Sequence, residues 1–331
     1  MDKNTSIPFD QYQRYGIACR AIEAVRKNGH VLNILEVGAN THKLLGSLLP
    51  HDNIVYLDRE IPLEMRNSGD MILGDATDLI LPNESFDVVV ALDVFEHIPE
   101  SRREAFLAHT CRVARLLTII GAPFDSSSTV KAEQKALEYW NSLFHSPYRW
   151  LVEHAEHGLP NLDASIQTVS SLGYYLHTLK HGDIRLWTAL MEGHFAKERV
   201  DALKPVVSLM DQYYRNYLFE RDFSASETYR QFLFCSCEPN VIKKLKVFFD
   251  GLKIESNENN HADLVFLEFL NLISLIATDI NSQIVSLNQK VSERDAVIDA
   301  ITSSHSWRMT RPLRLLARFF RQFLKPTIKN N

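Results

Sequence analysis

The chain has 331 residues and a mass of 38.0 kDa, and 45% of it is apolar against 23% charged. Those are the proportions of a soluble globular protein with a substantial core, and there is more chain than one small domain needs. The net charge of −5 conceals a division: from His305 onward there are seven Lys/Arg and no acid, so residues 1–304 hold the other 29 cations against all 41 acids, a net of −12. An acidic body argues against nucleic acid as a partner, and a cationic tail calls for something anionic.

Taken in chain order, residues 11–28 predict a helix, with Tyr15, Ala18, Ala21, Ile22 and Val25 at helical spacing. Short apolar runs rich in β-branched residues follow at 31–37, 54–57, 71–73, 86–92 and 116–120. Runs without polar alternation suit strands buried on both faces, which predicts a parallel sheet covered by helices. Segments 174–179 and 231–235 are expected to complete it as an antiparallel edge pair. Helical stretches at about 125–170 and 184–225 predict a cap over the carboxyl edge of the sheet.

The four cysteines give no disulfide framework, and Cys235-Ser-Cys237, lacking a partnering pair, reads as strand filling. The opening Met1–Ser6 has no apolar run of a secretory signal. The apolar stretch 264–277 is interrupted by Glu268, Asn271 and Ser274 and reads as too short to cross a bilayer. A cytoplasmic location, or attachment to the inner face of the cytoplasmic membrane, is therefore expected.

Residues 1–254 are expected to form the α/β domain with its cap, and 255–262 a polar linker. Over 263–304 a heptad rhythm appears: Leu270, Ile273, Ala277, Ile280, Ile284, Leu287, Val291, Arg294, Ile298 and Ile301. Only Arg294 departs from an apolar seam, which predicts a coiled coil and a homo-oligomer. A long helix folded back on the body is the competing reading. In the tail, 305–331, basic residues at 311, 314, 318, 321 and 325 share one helical face, and Leu313, Leu315, Leu316, Phe319, Phe320, Phe323 and Leu324 cover the other. Such a helix suits the interface of an anionic membrane, with Trp307 at headgroup level. Packing on protein is the plainer alternative.

The chemistry gathers at strand ends. The first strand ends Glu36-Val37-Gly38, where an acid and a glycine at a strand-to-helix turn suit a nucleoside-type ligand. The second ends at Asp58, spaced to accept the hydrogen bonds of a ribose diol. The third ends Gly74-Asp75-Ala76, and the fourth runs through Asp93 into Glu96-His97. In this order and spacing, residues 31–124 resemble the class I S-adenosylmethionine-dependent methyltransferases. The resemblance implies S-adenosyl-L-methionine as cofactor. It implies that Glu36 and Gly38 wrap the methionine moiety, Asp58 holds the ribose, Gly74, Asp75 and Ala76 flank the adenine, and Asp93 lies beside the methyl group. Asn40 and His42 stand where that family commonly has further glycines.

The likeness extends to a bacterial subgroup linked to surface polysaccharide, through Ala122-Pro123-Phe124, Tyr148-Arg149-Trp150-Leu151, Glu153-His154, His181-Gly182-Asp183 and Trp187. The stretch Ser304–Arg314 is similar to a Ser-x-Ser-Trp-Arg-x-Thr-x-Pro-Leu-Arg signature that ends many bacterial glycosyltransferases and O-antigen proteins. Together these resemblances imply a methyltransferase acting on a sugar hydroxyl of a glycan or glycan-lipid, with glycosyltransferases as further partners. His97, Glu153 and His154 are the candidate bases, since a hydroxyl nucleophile must lose its proton. Their plainer roles are fixing a helix start and packing the cap. His154 and His157 have metal-pair spacing but no third ligand, so no metal is expected. Two other readings remain: a methyltransferase-like scaffold that has lost turnover, which Asn40 and His42 motivate, and a methyltransferase of small metabolites.

Overall fold

The computed structural model describes residues 7–27, 29–38, 43–65, 68–252 and 261–323. Seven strands form one sheet: β1 (Asn33–Val37), β2 (Asn53–Asp58), β3 (Met71–Leu73), β4 (Phe86–Leu92), β5 (Ala114–Pro123), β6 (Tyr175–Asp183) and β7 (Thr228–Ser236). Their order is β3-β2-β1-β4-β5-β7-β6. The first five pair in parallel, and β7 pairs antiparallel with both β5 and β6. The one antiparallel strand therefore lies one place in from the edge, and the edge strand β6 runs with the other five.

The apolar runs explain the sheet. Along each central strand successive residues serve opposite faces: Ile34, Val88, Val90, Leu117, Ile119, Phe232 and Phe234 join one core, and Leu35, Val37, Val89, Ala91, Ile120, Leu233 and Cys235 the other. Each fully buried Val, Ile or Phe contributes about 1.5–3 kcal/mol, so neither face tolerates water. One face is covered by α1 (Phe9–Val25), through Ile17, Ala18, Ala21 and Ile22. The short α2 (Leu44–Leu48) and α9 (Pro239–Asp250) add Leu45, Leu245 and Phe249 to the same core. On the other face α3 (Glu100–Val113) packs Phe106, Leu107 and Cys111.

The cap consists of α4 (Ser127–Phe144), α5 (Arg149–His157), α6 (Leu162–Ser171), α7 (Ile184–Arg199) and α8 (Lys204–Tyr213). Its helix starts are written in the sequence: the Ser126, Asn161 and Asp183 side chains accept from the backbone N–H of Thr129, Ala164 and Arg185 respectively. Cys235 is buried in β7, as filling of the strand.

The chain divides into two compact units, residues 1–277 and 278–331. This boundary differs from the expected one because α10 (His261–Ser303) begins inside the first unit. There Leu270 and Ile273 are part of the domain core, Ala277 is fully buried and Tyr139 donates to the Ser274 carbonyl. The first three positions of the heptad seam thus belong to the domain itself, and the folded-back reading holds for that stretch. By length and composition alone, the helix over residues 265–303 is long and apolar enough to cross a membrane, whereas the reading of 264–277 as too short concerned that shorter stretch. Within that helix Leu270, Ile273 and Ala277 are buried against protein.

In the second unit, Leu287, Val291, Ile298 and Ile301 are exposed on α10. Two further helices, α11 (His305–Met309) and α12 (Arg311–Phe323), carry the exposed Trp307, Leu313, Leu315 and Leu316. The polar linker from 253 to 260, the Asn40 and His42 positions and the tail beyond 323 lie outside the described residues.

Candidate functional site

A parallel sheet leaves the loops at the carboxyl ends of its strands free to bind, and here the ladder itself positions them. Gly38 donates its N–H to Leu57 O at 2.8 Å, Gly74 to Asp58 O at 3.0 Å and Asp93 to Gly121 O at 2.8 Å, so the ends of β1 to β4 form one edge. Val37 pairs with both Leu57 and Ala91, which puts β1 between β2 and β4, where the strand order reverses. Gly38 has φ +72°, and a Cβ there would lie 2.2 Å from Val94 Cγ2. Only glycine fits that turn.

Glu36 is buried just before the turn. Tyr15 donates its hydroxyl to Glu36 Oε1, while Oε2 is buried without a hydrogen-bond partner among the described residues. Burial pushes the Glu36 carboxyl up to about 7, against the opposing pull of the Tyr15 hydrogen bond and the Arg14 charge. Asp58 is half-buried at the end of β2, and one of its oxygens accepts from the Glu60 N–H at 3.0 Å. Asp75 accepts from Thr77 N at 2.9 Å and Thr77 Oγ1 at 2.7 Å, and from Arg102 at 3.1 Å. Burial works against ionisation there, but Thr77, Arg102 and Arg59 outweigh it and hold the Asp75 carboxyl below its usual range. Ala76 is buried in the core beside Leu57 and Leu79.

Asp93 has another occupation. At φ 53° it is a non-glycine residue in the left-handed region, which Asp tolerates better than most. Its carboxylate accepts from Arg230 Nε at 2.7 Å and also from Arg14. Arg230, 2% exposed near the start of β7, donates as well to Gln13 Oε1 and Asp10 Oδ1, each at 2.6 Å. Burial would raise the Asp93 carboxyl, and the two guanidiniums overcome it, holding Asp93 well below the ordinary range. Asp93 follows the last residue of β4, and its oxygens tie α1 and β7 to that end of the strand. Sequence reasoning passed over Arg14 and Arg230, because nothing in the local pattern distinguishes a buried arginine from a solvated one.

Beyond Asp93 a 3-10 turn, Phe95–His97, presents Glu96 and His97, and α5 brings Glu153 and His154 to meet them. His154 Nε2 faces His97 Nε2 at 3.3 Å and stands 4.0 Å from Glu96 Oε1. His154 Nδ1 is 2.9 Å from Glu133 Oε1, which also accepts from the Tyr229 hydroxyl at 2.8 Å. His97 Nδ1 lies 3.1 Å from Glu153 Oε2, and Arg149 donates to the other Glu153 oxygen at 2.8 Å. Burial and the neighbouring His154 pull the His97 ring down to about 4, against the attraction of Glu153, so it is neutral at pH 7. Burial, then the Asp93 charge, pushes the Glu96 carboxyl well up. The three expected residues, His97, Glu153 and His154, are together. Glu96, Glu133 and Tyr229 complete the group, and His157 is not part of it.

Residues 35–117 match the family model of the methyltransferase domain. No curated protein matches the chain. Among solved structures, it is similar to a SAM-dependent methyltransferase of Archaeoglobus fulgidus, at 12% identity and a TM-score of 0.40, over 69% of this chain and 95% of that one. It is likewise similar to a cyclopropane synthase of Mycobacterium tuberculosis, at 13% identity and a TM-score of 0.41, over 66% of this chain and 84% of that one. The buried Glu36 Oε2 lacks a donor beside a backbone turn that a side chain would block, so the edge fits a ligand bearing an ammonium group. The chain carries a methyltransferase domain on a Rossmann-like methyltransferase fold, and S-adenosyl-L-methionine is its cofactor.

Proposed function

We propose that this chain is an O-methyltransferase whose acceptor is a sugar hydroxyl of a bacterial surface polysaccharide or its lipid-linked precursor, at the inner face of the cytoplasmic membrane. The observation that carries the reaction class is a spatial one: proton acceptors and cofactor-edge acids share the carboxyl end of one sheet. When bound, S-adenosyl-L-methionine supplies an electrophilic methyl group on a sulfonium. Glu36 and the Gly38 backbone are the groups to hold its amino-acid end, and Asp58 the group for its ribose. Catalysis then rests on alignment, since an in-line displacement gains most from holding acceptor and methyl in register. The acceptor hydroxyl must shed its proton as the new bond forms, and His97, Glu153 and His154 are the set available to take it.

The acceptor class is supported by the Ser304–Arg314 resemblance and by the tail. In α12 the exposed Leu313, Leu315 and Leu316 share a helix with Arg311, Arg314 and Arg318. That combination suits a lipid surface carrying anionic headgroups. The exposed seam residues of α10 beyond residue 280 suit a second copy of the same helix.

Detection of a methyl group on extracted polysaccharide, and its loss in an Asp58→Ala strain, tests the reading. A polysaccharide unchanged by Asp58→Ala, with methylation of a small metabolite lost instead, would replace it.

A further inference from the structure

We infer that Glu96, His97 and His154 form a binding site for one divalent transition-metal ion, of the zinc type. One ligand atom from each of the three lies within 4.8 Å of those of the other two. The two imidazoles carry the argument. His154 turns Nδ1 to Glu133 in a hydrogen bond at 2.9 Å, whereas His97 Nδ1 stands 3.1 Å from Glu153 without a hydrogen bond among the described residues. A ring that donates its Nδ1 proton keeps a lone pair at Nε2, and a carboxylate behind a histidine in this way is what fixes the tautomer of a metal ligand. The two Nε2 atoms face one another across 3.3 Å, with donor and acceptor set by the tautomers. Without a proton or cation between them they repel.

A cation at that point satisfies both. Nitrogen ligands about 2.0–2.1 Å from a tetrahedral ion stand roughly 3.3–3.4 Å apart, and the rings already have that separation. Glu96 supplies the third ligand. It is 1% exposed, its Oε1 lies 4.0 Å from His154 Nε2, and its Oε2 is buried without a hydrogen-bond partner among the described residues. Tyr229, buried in β7, fixes Glu133 from behind. Three carboxyl groups surround the two rings, and Arg149 answers only Glu153, so the group is one that a cation suits.

Two imidazoles and one carboxylate leave at least one coordination position open. That position suits a hydroxyl-bearing acceptor, which the ion would orient and make easier to deprotonate. This role rests on the methyltransferase reading, whereas binding of the ion does not. The sequence spacing pointed to His154 and His157 as a pair. The third ligand and the true second one come instead from the turn after β4, which a spacing rule along one helix does not reach.

The test is metal binding by the full chain, stripped with chelator and titrated with Zn²⁺ alone against a chromophoric competitor. One tight ion per chain is expected, with visible absorption bands when Co²⁺ replaces it. His154→Ala and Glu96→Gln should each weaken binding roughly 100-fold or more, and Glu133→Gln about 10–100-fold. His157→Ala should leave it unchanged. Where His154→Ala fails to fold by circular dichroism, the less buried His97→Gln must show the same loss. Wild-type protein that takes no tight ion, or variants that bind as tightly as wild type, would overturn the site. Titration of the same stripped samples with S-adenosyl-L-methionine reads the cofactor edge separately, so failure of the metal site and failure of the methyltransferase reading give different results.

Discussion

Arg230 Nε donates to Asp93 Oδ1 at 2.7 Å, joining the start of β7 to the end of β4 inside the protein. Removing one partner of a buried ion pair strands the other charge, at a cost of about 3–5 kcal/mol. Arg230→Met is therefore expected to lower stability by that order in urea unfolding at pH 7. Arg230→Met with Asp93→Asn should recover part of the loss, because asparagine tolerates the left-handed backbone at 93 and carries no charge. The sign of the pH dependence follows from the depressed Asp93 carboxyl. Its contribution is present above its unfolded value of 3.8 and disappears as pH falls through the lower folded value. The gap between wild type and Arg230→Met should narrow accordingly in acid.

Glu36 has the opposite sign. Its carboxyl rises from 4.5 to about 7 on folding, so its favourable contribution is fully present below pH 4.5 and is lost as pH rises to about 7. Asp222, buried against Tyr214 and raised from 3.8 to about 7, acts in the same direction. Glu36→Gln should flatten, without abolishing, the decline in stability between pH 5 and pH 8, by on the order of 3 kcal/mol. Urea midpoints of the two proteins at both pH values provide the check. Parallel declines would contradict the burial of this carboxyl.

Gly38→Ala should be far more damaging than an ordinary turn substitution. The added Cβ meets Val94 Cγ2 at 2.2 Å on a backbone at φ +72°. A loss of about 2 kcal/mol or more is expected, with cofactor affinity reduced at least tenfold. Gly38→Ala combined with Val94→Ala should relieve the clash and leave only the backbone strain. Thermal unfolding and cofactor titration of the three variants separate the two contributions.

The second unit makes a prediction of its own. Removal of residues 305–331 should abolish cosedimentation with vesicles containing anionic lipid, and raised salt should weaken it in the intact chain. Ile298→Asp, at an exposed seam position, should lower the oligomer mass in light scattering. An unchanged mass would leave the seam without a partner helix.

The strands were legible because strands buried on both faces are mostly apolar, and five of them declare themselves as short apolar runs with at most two polar residues each. Asp58 and Gly38 were legible for a related reason, since a polar or small residue ending such a run has left the core. The place of Asp93 at the end of β4 was legible, but its engagement with Arg14 and Arg230 was not, because those partners come from 79 and 137 positions away in the chain. The Glu96–His97–His154 group is a product of the cap folding over β4, and no local pattern encodes that contact. The heptad rhythm was real, but an apolar stripe does not specify its partner: Leu270 and Ile273 meet the domain's own core rather than a second helix.

Calorimetric titration of the full chain with S-adenosyl-L-methionine tests the central claim most directly. One site per chain is expected, weakened at least tenfold by Asp58→Ala while the fold is kept. No heat at millimolar cofactor, or equal affinity in Asp58→Ala, would contradict a cofactor seat at the ends of β1 and β2.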